Sequence, residues 1–455
     1  MSCKGFAIAV VGREIERSVF LVPGLWVVVL EIGRNEQMNN SEFDTVIDRR
    51  GTGSLKWNRY TGRDIIPVWI ADMDFQVPLP VRQAIHRYID FGVLGYADVI
   101  DGLNEAVVEK LKVDFGWEID ASWIIWSPGL VPALNVACCA VGADGDEIVT
   151  FTPIYPPFLN APENARKKLI EIPLCHKDGS YTFDIEEFEQ SISPKTRLVM
   201  LCNPHNPVGR VYKKKELEAI AEICLKNNII MCSDEIFCDL ILDEKKHIPI
   251  ATLSDRVAGN TITFMASCKT YNLGGLNCGY VIIPNEKIRE KFLAKKTEII
   301  SRMGILGFAA TLAAYTQSSD WREKLLEYLR QNRNLVTRYI NEEIPALSMD
   351  HVEATFLAWI DARKLKVPDP VAFFENAGVG MQDGREFHGD GFVRLNFGSP
   401  RKTLLKVLNR MKTAVKKHLK SLPLIAIPRS PSAERYAPYA KQSRHSKRSK
   451  EFQSK

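Results

Sequence analysis

The sequence predicts an α/β fold in which helices cover both faces of a mostly parallel central sheet. The runs 197–202 and 229–232 are apolar throughout, which is typical of strands buried on both faces. Helical patterns alternate with such runs, because residues 103–115 and 215–227 space their apolar side chains as amphipathic helices do. No internal repeat or low-complexity linker interrupts residues 40–420, so this region is expected to form one continuous body.

The composition is that of a folded protein. The 455 residues are 45% hydrophobic and 25% charged, which excludes a disordered or collagen-like chain. The net charge of +5 is concentrated near the C-terminus, where residues 429–455 contain eight Lys and Arg against two Glu. This tail is expected to be disordered. Because the rest of the chain has no basic excess, we expect no nucleic-acid partner.

The cysteines and the N-terminal segment bear on the cellular location. None of the ten cysteines forms a C-x-x-C pair, and they are too sparse for a disulfide scaffold. Reduced, mostly buried thiols are therefore expected, and with them a cytoplasmic location. The apolar stretch 19–32 is shorter than a spanning helix and contains Pro23 and Gly24, so no membrane role is expected. A secretory signal peptide is the alternative for this stretch, although Glu14 and Glu16 disfavour it.

The first predicted strand end that could bind a ligand follows residues 123–126. Residues 127–132, which include Gly129 and Leu130, lead from this apolar run into a helical stretch that begins at Ala133. A helix that opens at a glycine turn presents free backbone N–H groups and the positive end of its dipole, which suits a phosphate. One glycine is weak support, and an ordinary turn is the alternative.

Three further strand ends are followed by residues that could take part in binding or catalysis. The run 197–202 is followed by Asn206, 229–232 by Asp234, and 261–265 by Lys269. Ligands on parallel sheets bind at the carboxyl ends of the strands, so these side chains should meet there. The carboxylate of Asp234 could be a metal ligand, a general base or a partner for a cationic ring nitrogen. A lysine between a strand end and a glycine-rich turn is unusual, and desolvation there would make Lys269 nucleophilic toward an aldehyde.

Asn206, Asp234 and Lys269, each behind an apolar strand, resemble the pyridoxal-phosphate enzymes of fold type I, the aspartate aminotransferase superfamily. The segments 48–57 (DRRGTGSLKW) and 69–75 (WIADMDF) are similar to its cystathionine β-lyase branch, which includes the MalY and PatB proteins. The resemblance covers about residues 40–420. It implies an N-terminal extension (1–39), an arm that is partly small domain (40–85), a large cofactor domain (86–325), a small α/β C-terminal domain (326–420) and a basic tail (421–455).

The resemblance also implies a cofactor, pyridoxal 5′-phosphate, and a role for each site residue. Lys269 would bind the cofactor covalently and then serve as the base at the substrate Cα. Arg394 would bind the α-carboxylate with its planar fork. The remaining implied contacts are Asp234 to the ring nitrogen, Asn206 to the ring oxygen, Tyr155 on the ring face, Gly129 and Leu130 to the phosphate, Tyr96 to the phosphate of a neighbouring subunit, and Asp72 to the substrate. The role of Tyr96 implies a homodimer.

Several positions depart from the pattern of the branch. Cys268 stands where a hydroxyl residue usually precedes the lysine, Phe237 cannot donate a hydrogen bond to the ring oxygen, and Pro156 replaces a second tyrosine. Fewer side-chain donors should therefore hold the cofactor, at a cost of about 0.5–1.5 kcal/mol for each lost hydrogen bond. No metal site is expected, because no pair of histidines at i, i+4 lies beside a carboxylate.

The similarity of segments 48–57 and 69–75 favours β-elimination from an S-substituted cysteine such as cystathionine, which yields a thiol, pyruvate and ammonia. Transamination between an amino acid and a 2-oxo acid is the second hypothesis, since Lys269 serves either reaction. A third hypothesis is a MalY-like regulatory protein that acts by binding a protein partner. The amino-acid substrate itself is not predicted.

Overall fold

The structure is a computed structural model that describes residues 41–421. The predicted N-terminal extension and the basic tail beyond residue 421 lie outside the described residues. The strands are β1 (Ile66–Pro67), β2 (Ile124–Ser127), β3 (Glu147–Thr152), β4 (Lys168–Pro173), β5 (Cys175–Lys177), β6 (Ser180–Thr182), β7 (Thr196–Cys202), β8 (Ile230–Asp234), β9 (Thr261–Met265), β10 (Gly279–Ile282), β11 (Ser348–Met349), β12 (Leu357–Asp361), β13 (Val379–Gly380), β14 (Gln382–Asp383) and β15 (Phe392–Asn396).

Helices connect most of these strands, in the alternation that the sequence predicts. They are α1 (Leu55–Asn58), α2 (Leu79–Phe91), α3 (Leu103–Phe115), α4 (Leu130–Ala140), α5 (Pro156–Asn164), α6 (Ile185–Ser191), α7 (Lys214–Lys226), α8 (Asp255–Ala258), α9 (Glu286–Ile299), α10 (Ile305–Gln317), α11 (Ser319–Arg338), α12 (Pro370–Asn376) and α13 (Arg401–Ser421). Helix α3 has the predicted bounds, and α7 begins and ends one residue earlier than predicted.

The central sheet has seven strands in the order β2-β10-β9-β8-β7-β3-β4. Strand β10 is antiparallel to both of its neighbours, and the other neighbouring pairs are parallel. In β7, Leu198 and Met200 pack into one hydrophobic core, whereas Val199 and Leu201 pack into another. Because successive side chains of a strand point to opposite faces, this division explains why the run is apolar throughout. The predicted mostly parallel sheet is confirmed.

A second, smaller sheet lies C-terminal to the first. Its strands are antiparallel in the order β11-β12-β15-β14. Strand β1 pairs in parallel with β13, so the N-terminal part of the described chain is joined to the C-terminal part. Phe43, Val336, Leu357, Val393 and Leu404 belong to one core that spans both parts. This arrangement supports a small domain built from both chain ends; its boundaries at 85, 326 and 420 stay predictions.

Strand β8 begins one residue later than predicted and ends with Asp234 rather than before it. The N–H of Ile229 donates to the carbonyl of Cys224, and Asn228 adopts a left-handed φ of +55°. This is a helix C-terminal motif, so Ile229 completes the end of α7 instead of starting the strand.

All nine cysteines among residues 41–421 are free thiols, and six of them are buried. This agrees with the reduced thiols that the sequence predicts. Cys3 lies outside the described residues. Within the described range, no helix is long and apolar enough to cross a membrane.

Candidate functional site

Three of the predicted site residues follow three adjacent strands. Strands β7, β8 and β9 are parallel neighbours, so their carboxyl ends lie at one edge of the sheet. Asp234 pairs in register with Cys202 at the end of β7 and with Phe264 near the end of β9. Asn206 and Lys269 lie in the loops that leave β7 and β9. The structure thus places all three side chains at the edge where ligands of parallel sheets bind.

Asp234 is buried and forms no ion pair within the described residues. It is 9% exposed, and its Oδ1 accepts a hydrogen bond of 3.0 Å from the N–H of Ile236. Burial raises the pKa of its carboxyl to about 7, and the neighbouring Glu235 acts in the same direction, while Lys269 opposes it. No Lys, Arg or His of the described chain forms an ion pair with it. Such a carboxylate suits a protonated ring nitrogen, which would supply the missing positive charge.

The adjacent Glu235 is held quite differently. Its carboxylate accepts hydrogen bonds from Ser233 Oγ at 2.8 Å, His247 Nε2 at 2.8 Å and the N–H of Ile250 at 3.1 Å. Both Glu235 and the His247 side chain are fully buried. Glu235 therefore fixes the loop after β8, and Asp234 is left free to face a ligand.

Lys269 is half-buried and forms no ion pair with any carboxylate of residues 41–421. Its Nζ donates a hydrogen bond of 2.8 Å to the backbone carbonyl of Ala71. A partly buried amine held only by a neutral acceptor is available for covalent or proton-transfer chemistry.

Arg394, in β15, is the second unmatched charge. It is 1% exposed, and its guanidinium donates to Asn206 Oδ1 at 2.9 Å, to the carbonyl of Trp69 at 3.1 Å and to Gln382 Oε1. The guanidinium carbon lies 4.7 Å from the ring centre of Phe387. Its Nε is buried and has no partner in the described structure. Burial lowers the pKa of Arg394 to about 10, which is the response of a cation that lacks a matching anion.

Arg394 thus has the geometry to bind a carboxylate ligand. The amide oxygen of Asn206 is engaged by Arg394, which leaves the amide N–H groups of Asn206 to donate to an acceptor on a ring. Tyr155 caps the start of α5 and is half-buried; burial raises the pKa of its hydroxyl, so the ring stays neutral at physiological pH. These three side chains are compatible with the roles that the resemblance implies.

The predicted phosphate site is formed by the start of α4. Gly129 is the N-cap, and its φ of +97° requires a glycine. Its N–H donates to the carbonyl of Ser127 at 2.7 Å, so it is already engaged, whereas the N–H of Leu130 lies in the first turn and has no acceptor within the helix. The predicted contact from Leu130 is compatible with the structure. That from Gly129 would require the bond to Ser127 to break.

Two predicted site residues lie elsewhere or are otherwise engaged. Tyr96 is 98% exposed on a single chain and does not join the other site residues. Asp72 accepts two hydrogen bonds of 2.8 Å from the guanidinium of Arg49. Its carboxylate is therefore already paired, and its proposed contact with the substrate stays a prediction.

Several residues that hold this site together could not be predicted from the sequence. Lys56, Asp74 and Arg49 form an ion-pair cluster, and Gln382 contacts Arg394. The segments 48–57 and 69–75 indicated only a resemblance to a family. The spacing of residues within them does not show that Lys56 is fully buried. Gln382 lies more than 100 residues from the three strand ends, and no local pattern points to it.

Two of the three departures, Phe237 and Pro156, have structural explanations. Phe237 is 2% exposed and packs edge-on against Phe356, with ring centres 5.8 Å apart. Pro156 occupies the first position of α5, where its fixed φ favours the start of a helix and no backbone N–H is needed.

Comparison with known proteins places this geometry in a family. A family model described as aminotransferase class I and II matches residues 65–411. Cystathionine β-lyase PatB of Bacillus subtilis (strain 168) is 35% identical over 389 residues, which are 82% of this chain and 99% of PatB.

Solved structures agree with this assignment and with the predicted fold. OvoB has a TM-score of 0.80 and 40% identity, with 82% of this chain and 98% of OvoB covered. Cystalysin from Treponema denticola, whose crystal structure contains a pyridoxal 5′-phosphate cofactor, has a TM-score of 0.79 and 33% identity, with 82% of this chain and 98% of cystalysin covered. The chain has the fold type I architecture and belongs to the class I and II aminotransferase family.

Proposed function

We propose that this protein is a pyridoxal-phosphate-dependent C–S β-lyase. It would cleave cystathionine or a related S-substituted cysteine, with water, to a thiol, pyruvate and ammonia. The observation that carries the proposal is the group of three side chains, Asp234, Lys269 and Arg394, that lie at or beside one edge of the central sheet and form no ion pair within the described residues. PatB, a relative that aligns over nearly its whole length, is a cystathionine β-lyase.

The residues present fit the cofactor. The buried carboxylate of Asp234 suits a protonated ring nitrogen, the start of α4 offers the N–H of Leu130 to a phosphate, and Asn206 retains free amide donors. Bound pyridoxal phosphate supplies an electron-withdrawing ring that stabilises negative charge at the substrate Cα.

The chain's own residues would then act as follows. Arg394 binds the α-carboxylate through its fork and its unpartnered Nε, and so orients the amino acid. Lys269 removes the proton from Cα, and its position opposite the carbonyl of Ala71 keeps the resulting ammonium hydrogen-bonded. Burial of Arg394 excludes water from the carboxylate contact, which strengthens it.

The reaction type can be tested directly. We expect L-cystathionine, without any added 2-oxo acid, to yield equimolar pyruvate and homocysteine. Transamination would instead require a 2-oxo acid and form a new amino acid, and this result would contradict the lyase proposal. A panel of S-substituted cysteines assayed in the same way would define the preferred leaving group.

We also propose a homodimer. The surface from α2 to Tyr96 carries large apolar side chains that are mostly exposed on a single chain: Ile89, Phe91, Val93, Leu94 and Tyr96. Contiguous exposed apolar groups of this kind favour burial by a protein partner. In the proposed dimer Tyr96 reaches the phosphate of the neighbouring subunit. Analytical ultracentrifugation of the wild type and of Phe91→Asp would test it; a monomeric wild type would contradict it.

A cytoplasmic location remains part of the proposal. It is supported by the nine free cysteines among residues 41–421, of which Cys175 is exposed. Unpaired thiols are typical of a reducing compartment. Fractionation of the native host followed by immunoblotting would test it.

A further inference from the structure

Residues 69–74 form a segment, here named the strap, that contacts both Arg394 and Lys269. The carbonyl of Trp69 accepts a hydrogen bond from Arg394 at 3.1 Å, and the carbonyl of Ala71 accepts one from Lys269 at 2.8 Å. Between them, the carbonyl of Ile70 accepts from Asn396 at 2.7 Å. Two side chains that are far apart in the chain are therefore held by carbonyls two residues apart, and a shift of the strap would move both.

The strap is anchored on one side by Lys56. This side chain is fully buried, and its Nζ donates to the carbonyl of Asp72 at 3.0 Å and to the carboxylate of Asp74 at 2.7 Å. Asp74 also accepts from Ser399 Oγ at 2.8 Å and from Arg49 at 2.9 Å. The carboxylate of Asp74 would thus remain paired with Arg49 if Lys56 were replaced.

On the other side the strap is anchored by Asn272, three residues after Lys269. Its Oδ1 accepts from the N–H of Met73 at 2.9 Å, and its Nδ2 donates to the carbonyls of Met73 and Phe75, each at 2.9 Å. Asn272 has a left-handed φ of +59°, which aims its side chain at the strap from the loop that carries Lys269. The catalytic loop and the strap are therefore joined directly.

The type of hydrogen-bond acceptor beside Lys269 determines how readily its protonated amine can return the proton. When the amine is free and has taken a proton, it needs an acceptor for its N–H. A carboxylate would form an ion pair with the ammonium and hold the proton, because a nearby opposite charge favours the charged form of the amine. A backbone carbonyl such as that of Ala71 accepts the hydrogen bond and still lets the proton be returned. Whether the Ala71 carbonyl can accept this hydrogen bond depends on its position, which the strap determines.

We propose that Lys56 and Asn272 are positioning residues that hold the Ala71 carbonyl where it receives the free amine of Lys269. This inference rests on the proposed function. Neither residue contacts the reacting atoms; each acts through the strap. Because a displacement of about 1 Å in a catalytic group can cost about 100-fold in rate, loss of either anchor should lower kcat more than it raises KM.

The test uses the protein purified with pyridoxal 5′-phosphate, and compares Lys56→Met with wild type. We expect kcat for thiol release to fall about 10- to 100-fold and KM to rise less than about threefold, since Arg394 keeps its contacts with Asn206 and Gln382. Hydrogen–deuterium exchange followed by mass spectrometry should show faster exchange in a peptide that covers residues 69–75. This second readout is independent of activity.

Asn272→Gly keeps the inference testable if Lys56→Met folds poorly. Glycine adopts a left-handed φ without steric cost, so the substitution removes the three hydrogen bonds and preserves the backbone. The matched control is Arg333→Met. Arg333 is 7% exposed and donates to Asp243 at 2.5 Å and to the carbonyl of Val352 at 3.1 Å, so its loss also breaks a largely buried ion pair.

Faster exchange in the strap together with a lower kcat, in either anchor variant but not in Arg333→Met, would support the inference. It would be overturned by unchanged kcat in a variant whose strap exchanges faster, by an unchanged exchange rate in both anchor variants, or by a kcat loss explained by a lower cofactor content. An inactive wild type would instead count against the proposed function, and the exchange measurement would still decide whether Lys56 and Asn272 hold the strap.

Discussion

The edge of the central sheet and the strap lie in contact, but the buried Asp74 of the strap forms ion pairs, whereas the buried Asp234 of the edge forms none within the described residues. Asp234 at this edge and Arg394, which faces it from the smaller sheet, are both buried and form no ion pair within the described chain. In the strap, Asp74 is buried to a similar extent but pairs with Lys56 at 2.7 Å and with Arg49 at 2.9 Å. Neighbouring parts of one fold thus contain matched and unmatched ions.

The pairing of a buried ion distinguishes the scaffold from the site. A buried ion that is paired and hydrogen-bonded offsets much of its desolvation cost, and removal of its partner is strongly destabilising. A buried ion without a partner costs several kcal/mol of stability, and it persists where a ligand supplies the missing charge. By this criterion Lys56 and Asp74 belong to the scaffold, whereas Asp234 and Arg394 belong to the site.

The largest expected effect concerns Lys269, which has no carboxylate partner among residues 41–421. Lys269→Ala should lower kcat for pyruvate release about 1,000-fold or more, because one side chain serves as the cofactor's covalent partner and as the base. The melting temperature of the cofactor-free protein should change little, since no ion pair is lost. Coupled assay of pyruvate and differential scanning calorimetry would measure the two quantities.

This substitution also separates the enzyme from the regulatory hypothesis. A protein that acts only by binding a partner would keep its function after Lys269→Ala. Retention of more than a tenth of wild-type pyruvate release would contradict the role assigned to Lys269.

The next effect concerns Arg394. Arg394→Lys keeps the charge but loses the planar fork and the Nε donor, so kcat/KM should fall about 10- to 100-fold, mainly through KM. With a substrate whose α-carboxylate is replaced by an amide, kcat/KM of Arg394→Lys should differ little from that of wild type, because this substrate carries no negative charge for residue 394 to bind. Equal losses with both substrates would indicate that Arg394 does not bind the carboxylate.

Strand ends could be predicted from the sequence, and most of what surrounds them could not. Apolar runs such as 197–202 mark strands buried on both faces, and the residue that ends each run lies at the ligand-binding edge by topology alone. Lys269 and Asp234 were found in this way. Arg394 was found only through the family resemblance, because it lies on the smaller sheet in an ordinary alternating strand.

The scaffold was harder to predict for a physical reason. Lys56 reaches full burial only because Asp74, Arg49 and a distant serine meet around it. The contacts join residues up to 325 positions apart, and a short charged segment carries no periodicity that would indicate burial. Matched ions inside a fold are therefore visible only in three dimensions.

A third prediction tests the unmatched state of Asp234 through pH. In the cofactor-free protein the pKa of Asp234 is raised from 3.8 to about 7 by burial. The native state thus binds a proton that the unfolded state releases above pH 3.8, so the contribution of Asp234 to the free energy of unfolding is fully present below that pH and is lost as pH rises through about 7. Asp234→Asn removes this group, and its stability relative to wild type should rise by about 1–2 kcal/mol between pH 4 and pH 8, a value below the full linkage because relaxation of the protein lowers the effective cost of a buried charge.

Urea unfolding of the two cofactor-free proteins at several pH values would measure the difference. Added pyridoxal phosphate should abolish or reverse it, because a ring cation would match the carboxylate of the wild type alone. If the free energies of unfolding of wild type and Asp234→Asn changed with pH in the same way, the carboxylate of Asp234 would already have a partner.

The smallest effect concerns an uncharged donor. Phe237→Tyr adds a hydroxyl beside the loop of Asp234, in a position that is 2% exposed. Without cofactor this buried hydroxyl lacks an assured partner and should cost stability, since an unsatisfied buried donor costs about 1–3 kcal/mol. With cofactor it can donate to the ring oxygen, so affinity for pyridoxal phosphate should rise about 2- to 10-fold, equivalent to about 0.5–1.5 kcal/mol. Absorbance titration would measure the affinity, with Phe237→Leu as the variant that adds no donor. If Phe237→Tyr bound the cofactor no better than wild type, the absence of a donor at position 237 would not lower cofactor affinity, and the partner for the ring oxygen would be Asn206 alone.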